Sequence, residues 1–257
     1  MVVVWPQYID YICCTSTNIN WVIVIVWPNI YGSIDMISER IHKINQDMIT
    51  SASSCGRDVS DITLIGVTKT KPMTMVKEAF RAGLCDFGEN YVEEFSSKES
   101  EFHPQKLNYH FIGRLPTKKV TKVVGFSSLI HSVGSLKLAK KIDFVASEKN
   151  LCQDVLVQIN QGSELSKSGI LASESFAFFE EVLEYKNINI LGLMSIPPFT
   201  EPARPYFVHL RELRESLESQ FKKELPYLSM GMSNDFQDAI IEGSTHVRLG
   251  TTIFGSR

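Results

Sequence analysis

From Ile34 onward, apolar residues recur at two alternating periods. Ile34, Ile37, Ile41, Ile44, Met48 and Ile49 fall at helical spacing up to about Ser54, and Gly56 follows as a stop. After this opening helix, strand-like runs alternate with helical stretches to the end of the chain. The strands read are Ile62–Lys69, Cys85–Gly88, Tyr109–Gly113, Leu129–Val133, Val155–Asn160, Ile190–Ile196, Tyr227–Met230 and His246–Gly250. The helices expected between them are Met73–Ala82, Val92–Lys98, Thr117–Val124, Leu136–Ala146, Glu174–Tyr185, Tyr206–Phe221 and Phe236–Glu242. Several strands are near-continuous apolar runs, such as Ile62-Thr63-Leu64-Ile65-Gly66-Val67, which suits a parallel sheet buried on both faces.

Eight strands in strict alternation with helices, inside about 220 residues, match an α/β fold: a single (β/α)8 TIM barrel with an extra N-terminal helix. An open, doubly wound sheet permits the same alternation, but no Gly-x-Gly-x-x-Gly opens the first crossover helix. No linker or repeat divides residues 34–257, so they read as one domain. Residues 1–33 break the pattern. Trp21-Val22-Ile23-Val24-Ile25-Val26-Trp27 is strongly apolar, but Pro28 ends it far short of the roughly 20 residues a membrane helix needs. No basic segment precedes it and no small-residue cleavage site follows, so no secretory signal is read. Residues 1–33 are read as an extension outside the fold, with a peripheral anchor or an extra strand as the alternatives.

Composition narrows the partners. A hydrophobic fraction of 44% and a charged fraction of 21% are ordinary for a globular chain with a sizeable core. A net charge of −3 gives no basic field for nucleic acid or anionic membrane. The five cysteines form no Cys-x-x-Cys and leave one over under any full pairing, which points to a reducing, cytoplasmic setting. No histidine pairs with a cysteine at zinc-ligand spacing, so no metal is expected.

In such a barrel, chemistry collects where strands end and βα loops begin. There stand Thr68-Lys69-Thr70-Lys71-Pro72, Gly88-Glu89-Asn90-Tyr91, His110-Phe111-Ile112-Gly113, Asn160 and Met194-Ser195-Ile196-Pro197-Pro198. The last two strands contribute Ser229-Met230-Gly231-Met232-Ser233 and Arg248-Leu249-Gly250-Thr251-Thr252. Lys69 closes an apolar strand, and a desolvated stem beside Lys71 and Arg248 favours the neutral amine that a Schiff base needs. A lysine that simply reaches solvent is the alternative. The last two segments combine glycines and hydroxyls in the place where barrels commonly bind phosphate. Ser233-Asn234-Asp235 reads equally well as an N-cap. Taken alone, Ser166-Lys167-Ser168-Gly169 and the cluster Lys118, Lys119 and Lys122 read as solvated surface.

Taken in order, these segments carry a resemblance. With Val67 to Pro72, Phe87 to Val92, His110 to Gly113, Ser166 to Ile170, Gly192 to Pro197, Ser229 to Ser233, Val247 to Thr251 and the closing Ile253-Phe254-Gly255, the chain resembles the pyridoxal phosphate homeostasis proteins. These look like the barrel domain of alanine racemase standing alone. The resemblance implies that Lys69 forms the Schiff base with pyridoxal 5'-phosphate and that Asn90 contacts the cofactor. It places Arg248 at the pyridine nitrogen and has Ser229, Ser233, Gly250 and Thr251 hold the phosphate. Lys71 and Lys167 match lysines linked to cofactor transfer or gating. One stretch departs from the family pattern: Pro116 and Lys118 stand where two amides are usual.

The residues also bear on whether the site is that of an enzyme. Pyridoxal phosphate is a strong electron sink when its ring nitrogen is protonated, and an arginine partner disfavours that protonation. The β domain that carries the second acid–base group of alanine racemases is expected to be absent. The reading is a monomeric carrier or buffer in intracellular pyridoxal phosphate homeostasis, with pyridoxal-phosphate-dependent apoenzymes as recipients and no dedicated catalytic activity. A slow racemase-like enzyme using Tyr91 or His110 is one alternative. A barrel acting on a sugar phosphate through Lys69 is another.

Overall fold

The computed structural model describes residues 36–162, 168–198 and 201–255. The expectations for residues 1–33 and for Lys167 lie outside the described residues. The opening helix, α1 (Met36–Ser54), buries Ile37, Ile41, Ile44 and Met48 of the expected apolar period, whereas Ile49 is exposed and Ile34 lies outside the described residues.

The strands are β1 (Thr63–Val67), β2 (Asp86–Glu89), β3 (Asn108–Phe111), β4 (Leu129–Val133), β5 (Gln153–Asn160), β6 (Ile170–Leu171), β7 (Ile188–Ser195), β8 (Tyr227–Ser229) and β9 (His246–Leu249). They pair in parallel in the order β4-β3-β2-β1-β9-β8-β7-β5, and β4 pairs with β5 through Ile130↔Val155 and Val133↔Val157. That last pairing closes an eight-stranded barrel and removes the open-sheet alternative. The remaining strand, β6, lies along the end of β5 (Ile159↔Ile170, Asn160↔Leu171). Two residues leave no period to read, so this strand was not legible in the sequence.

Around the barrel stand α2 (Met73–Arg81), α3 (Val92–Glu101), α4 (Leu136–Glu148), α5 (Ser175–Val182), α6 (Arg204–Phe221), α7 (Phe236–Ile241) and α8 (Thr251–Phe254). The α-helix expected near Thr117 is instead a 3-10 turn over Thr117–Lys122. Its β-branched Thr117, Val120 and Thr121 disfavour a longer helix. The four-residue α8 is too short to cover its side of the barrel, and α1 packs there against α7, α2 and α8. Two arginines fasten this seam: Arg40 Nη1 donates to the Ile253 carbonyl (3.2 Å), and Arg57 Nη1 donates to that of Ile240 (2.7 Å).

The apolar core is uneven. A continuous layer between strands and helices holds Val76, Phe87, Phe95, Tyr109, Phe111 and Ile130, among others. A second, separate cluster has only three fully buried members, Leu129, Leu156 and Met194. The barrel interior also contains buried His110, His131, Ser229, His246 and Arg248, so much of its filling is polar.

Candidate functional site

Lys69 sits two residues beyond β1 and is half-buried. Its backbone is held on both sides. The Thr68 hydroxyl donates to Glu89 Oε1 (2.6 Å), Lys98 Nζ donates to the Thr68 carbonyl (2.7 Å), and the same ammonium meets Glu89 Oε1 at 2.5 Å. Glu94 Oε2 accepts the Thr70 N–H (2.7 Å) and lies 3.4 Å from Lys98 Nζ. Thr70 has φ 61, a left-handed conformation that a β-branched residue adopts only when its surroundings impose it. Burial raises the Glu89 carboxyl above its ordinary range even though hydrogen bonds from Lys98 and Thr68 pull it down. Lys71 Nζ donates to the carbonyls of Phe254 (3.3 Å) and Gly255 (3.1 Å), tying this turn to the end of α8. Among the described residues Lys69 Nζ makes no hydrogen bond or ion pair.

Asn90 follows β2 directly. Its Oδ1 is buried without a hydrogen-bond partner. The position of Asn90 explains Gly113: a Cβ there would come within 2.0 Å of the Asn90 carbonyl oxygen, so only glycine lets the two loops pass. Ser195 Oγ, at the end of β7, is likewise buried and without a partner.

Arg248 lies on β9, 5% exposed. Its Nη1 donates to Ser229 Oγ (2.5 Å) and its Nη2 to the Ser195 carbonyl (2.9 Å). Burial brings its pKa down to about 10, with Asp235 acting in the opposite direction, so it stays charged at neutral pH. Ser229 Oγ also meets His131 Nδ1 at 2.8 Å. The Ser229 hydroxyl is therefore engaged inside the barrel, apart from the two other expected phosphate hydroxyls. Those two meet each other: Thr251 Oγ1 donates to Ser233 Oγ (3.2 Å) at the surface. Gly250 precedes α8, and a Cβ there would be in ordinary contact with Val67 at 3.5 Å. Beside this pair, Asp235 Oδ1 accepts the Met232 N–H at 2.6 Å. Burial raises the Asp235 carboxyl, partly offset by that N–H and by Arg248.

The departure at Pro116 and Lys118 lies elsewhere on the rim. Both line a cleft of about 770 Å³ with Arg114, Ser132, Ser135 and Ser168. Of the residues named in advance, the structure joins Arg248 to Ser229 and Ser233 to Thr251, and it fastens Lys71 to α8. The roles of Glu89, Lys98, Asp86, His131 and Asp235 were missed. Glu89 could have been found, since a carboxylate ending an apolar strand needs a buried cation, and Lys98 lies nine residues on.

The site thus sits in a closed parallel barrel, with a half-buried lysine at the strand-end rim and a buried arginine within, and the barrel is of the alanine racemase class. Residues 56–257 match the family described as alanine racemase, N-terminal domain. The pyridoxal phosphate homeostasis protein of Aquifex aeolicus is 42% identical over 222 residues, covering 85% of this chain and 97% of that protein. Its counterpart in Pseudomonas aeruginosa is 39% identical over 224 residues, covering 86% and 96%. The chain belongs to the pyridoxal phosphate homeostasis protein family, within the alanine racemase N-terminal domain group. Among solved structures, PipY of Synechococcus elongatus with pyridoxal phosphate bound superposes with a TM-score of 0.76 at 31% identity, covering 85% of this chain and all of that one. Alanine racemase of Clostridium difficile, at 16% identity and a TM-score of 0.69, shares the fold over 57% of its length.

Proposed function

We propose that the barrel mouth binds pyridoxal 5'-phosphate, with Lys69 as the amine that bonds its aldehyde carbon, and that the chain carries and buffers this cofactor without a dedicated catalytic activity. Three features fit such a ligand. Asn90 Oδ1 and Ser195 Oγ are buried polar atoms without a partner, a costly arrangement that a bound ligand would relieve. The Ser233–Thr251 hydroxyl pair offers donors to a phosphate, and Gly250 leaves the backbone beside it uncovered. Lys69 stands with its amine uncommitted among the described residues. The names of the relatives and the ligand in the PipY structure support the same reading.

When bound, the group supplies an electrophilic carbon and, with its ring nitrogen protonated, an electron sink. The observation that carries the non-enzymatic reading is Arg248. It is a buried guanidinium, bonded to a hydroxyl and a carbonyl, with no carboxylate ion pair among the described residues. Were it to face the ring nitrogen, as the resemblance implies, this permanent cation would disfavour protonation there. The proposed acid–base groups of a racemase do not favour the alternative: Tyr91 is 51% exposed, and both ring nitrogens of His110 are bonded inside the barrel. Ser229 serves here by seating Arg248. Lys71 and Lys167 act in transfer, and Lys71 is suited to it because its ammonium is tied to the end of α8. Pyridoxal-phosphate-dependent apoenzymes are the recipients of a monomer working in the cytoplasm.

Borohydride reduction of protein mixed with pyridoxal phosphate, followed by peptide mapping, tests the assignment. The label is expected on Lys69 and is lost in Lys69→Ala, with no steady turnover of amino acids. Label on another lysine, or none, overturns the site. Steady product formation overturns the carrier role.

A further inference from the structure

Five polar side chains form a continuous chain of hydrogen bonds through the barrel. It runs from Arg248 to Ser229 Oγ (2.5 Å), to His131 Nδ1 (2.8 Å), from His131 Nε2 to His110 Nδ1 (3.0 Å), and from His110 Nε2 to Asp86 Oδ1 (3.0 Å). Asp86 opens β2, and its side chain is 23% exposed, so this end reaches solvent. Arg248 is held by the mouth residue Ser195 at the other end.

The chain has a single consistent direction. A guanidinium can only donate and a carboxylate can only accept. With both imidazoles neutral, His110 Nε2–H donates to Asp86, which leaves His110 Nδ1 as an acceptor for His131 Nε2–H. His131 Nδ1 then accepts the Ser229 O–H, and Ser229 Oγ accepts from Arg248. Each imidazole nitrogen and the Ser229 proton is used once, and Asp86 Oδ1 also accepts from Asn108 Nδ2 (3.1 Å). A charged His131 would donate from both nitrogens and strand the Ser229 proton. Burial, followed by the nearness of His110, His246 and Arg248, holds His131 neutral, with its pKa well below the ordinary histidine range.

We propose that Asp86, His110 and His131 are positioning residues of the mouth: their one-way chain keeps Ser229 an acceptor, seats the Arg248 guanidinium and balances its buried charge with the Asp86 carboxylate at the far end. A buried cation without an adjacent carboxylate is costly, and aligned dipoles in a low-dielectric interior offset that cost. The consequence for cofactor rests on the pyridoxal phosphate reading, but the hydrogen-bond direction does not. The other groups facing the chain are His246, Tyr227 and Asp235. The His246 ring lies 5.8 Å from His131, 6.2 Å from His110 and 4.6 Å from Tyr227, and Asp235 acts on Arg248.

The first test needs no cofactor. Long-range proton–nitrogen NMR of the full chain, labelled at histidine, is expected to show His131 neutral at neutral pH with its proton on Nε2, donated to an unprotonated Nδ1 of His110. A proton on Nδ1 of either ring, or a charged His131, overturns the proposal. The second test reads bound pyridoxal phosphate. His131→Leu is expected to weaken binding about tenfold and to move the absorbance maximum, since a charge-assisted bond loses its support. His131→Gln, whose amide can donate and accept in the same places, restores both. Asp86→Ala, at the solvent end, gives the same direction of change if His131→Leu does not fold. Unchanged affinity and absorbance in these variants overturn the positioning role. Failure of the wild-type chain to bind pyridoxal phosphate would sink the functional reading and leave the NMR result to decide the chain.

Discussion

The two sides of the barrel mouth are built from different materials. On the β1–β2 side, the turn carrying Lys69 rests on a buried ion pair, Lys98–Glu89, with Thr68, Thr70 and Glu94 bonded into it. On the β8–β9 side, the proposed phosphate groups are an exposed hydroxyl pair and a glycine: Thr251 opens the four-residue α8, Gly250 precedes it, and Ser233 lies in the turn before the six-residue α7. The first arrangement fixes a backbone: it holds a β-branched residue at φ 61 and keeps the amine of Lys69 out of the network. The second leaves donors and space uncommitted. A covalent anchor needs a fixed origin, whereas an anion site needs donors not already used by the protein. The contrast predicts that damage on the first side appears in stability, and damage on the second in affinity.

The largest break is expected from Lys98→Met. It leaves Glu89 buried and unpaired, at a cost of about 3–5 kcal/mol. Urea unfolding measures this, and Glu89→Gln combined with Lys98→Met should recover most of it. The pH dependence has a fixed sign. The folded state already raises the Glu89 carboxyl, and removing Lys98 raises it further. A group raised in this way costs stability as pH climbs through its folded pKa, so the deficit of the variant shrinks as the solution is acidified. A deficit that grows in acid would mean that Lys98 stabilises through its stem alone.

Between the two sides lies the polar interior, which makes the next largest effect. His131 and His246 are both held neutral by burial, the second at a pKa of about 3. The unfolded chain takes up protons on both below about pH 6.5, while the fold refuses them. Stability is fully present above that pH and is lost on acidification, by about 1.4 kcal/mol per pH unit for each histidine. His131→Gln should remove about 1.4 kcal/mol per pH unit from the slope just below pH 6.5.

Gly250→Ala sharpens the comparison on the other side. The added Cβ meets Val67 at an ordinary 3.5 Å. Stability should therefore change by no more than about 0.5 kcal/mol. Binding of pyridoxal phosphate should weaken about tenfold, or 1.4 kcal/mol, with pyridoxal affected less. Equal loss for both ligands would move the phosphate away from Gly250.

The sequence made these regions unequally legible. Strand–helix alternation located every barrel strand, helped by strands that are near-continuous apolar runs, as in Ile62 to Val67. Lys69 and Arg248 stood out as charges at the ends of such strands. The clamp was hidden because Lys98 reads as a routine lysine near a helix end until its neighbour across the turn is known. His131 and Asp86 were hidden for a related reason: a closed barrel makes neighbours of β2, β4 and β8, and no local pattern announces a contact spanning 98 residues. Thr117–Lys122 misled because a run of lysines and valines suits a helix face, while Pro116 and the β-branched residues shorten it to a 3-10 turn.

Asp235 is where the two building styles conflict, and it gives the smallest and most diagnostic effect. A carboxylate next to the proposed phosphate site would be unfavourable, yet Asp235 takes the Met232 N–H that a phosphate could use. Burial already raises this carboxyl, so its charge is resisted by the fold itself. Asp235→Asn keeps an acceptor for Met232 and removes the charge. At an effective dielectric typical of protein surfaces, that relief amounts to about 0.4–1 kcal/mol, or a two- to fivefold gain in affinity for pyridoxal phosphate. Pyridoxal, lacking the phosphate, should bind both proteins alike. The gain should also fade as pH falls through the raised pKa of Asp235, because the wild-type carboxyl is then neutral as well. Equal weakening of both ligands would instead assign Asp235 to holding the 232–235 turn in shape, and the anion side would then be as fixed as the lysine side opposite it.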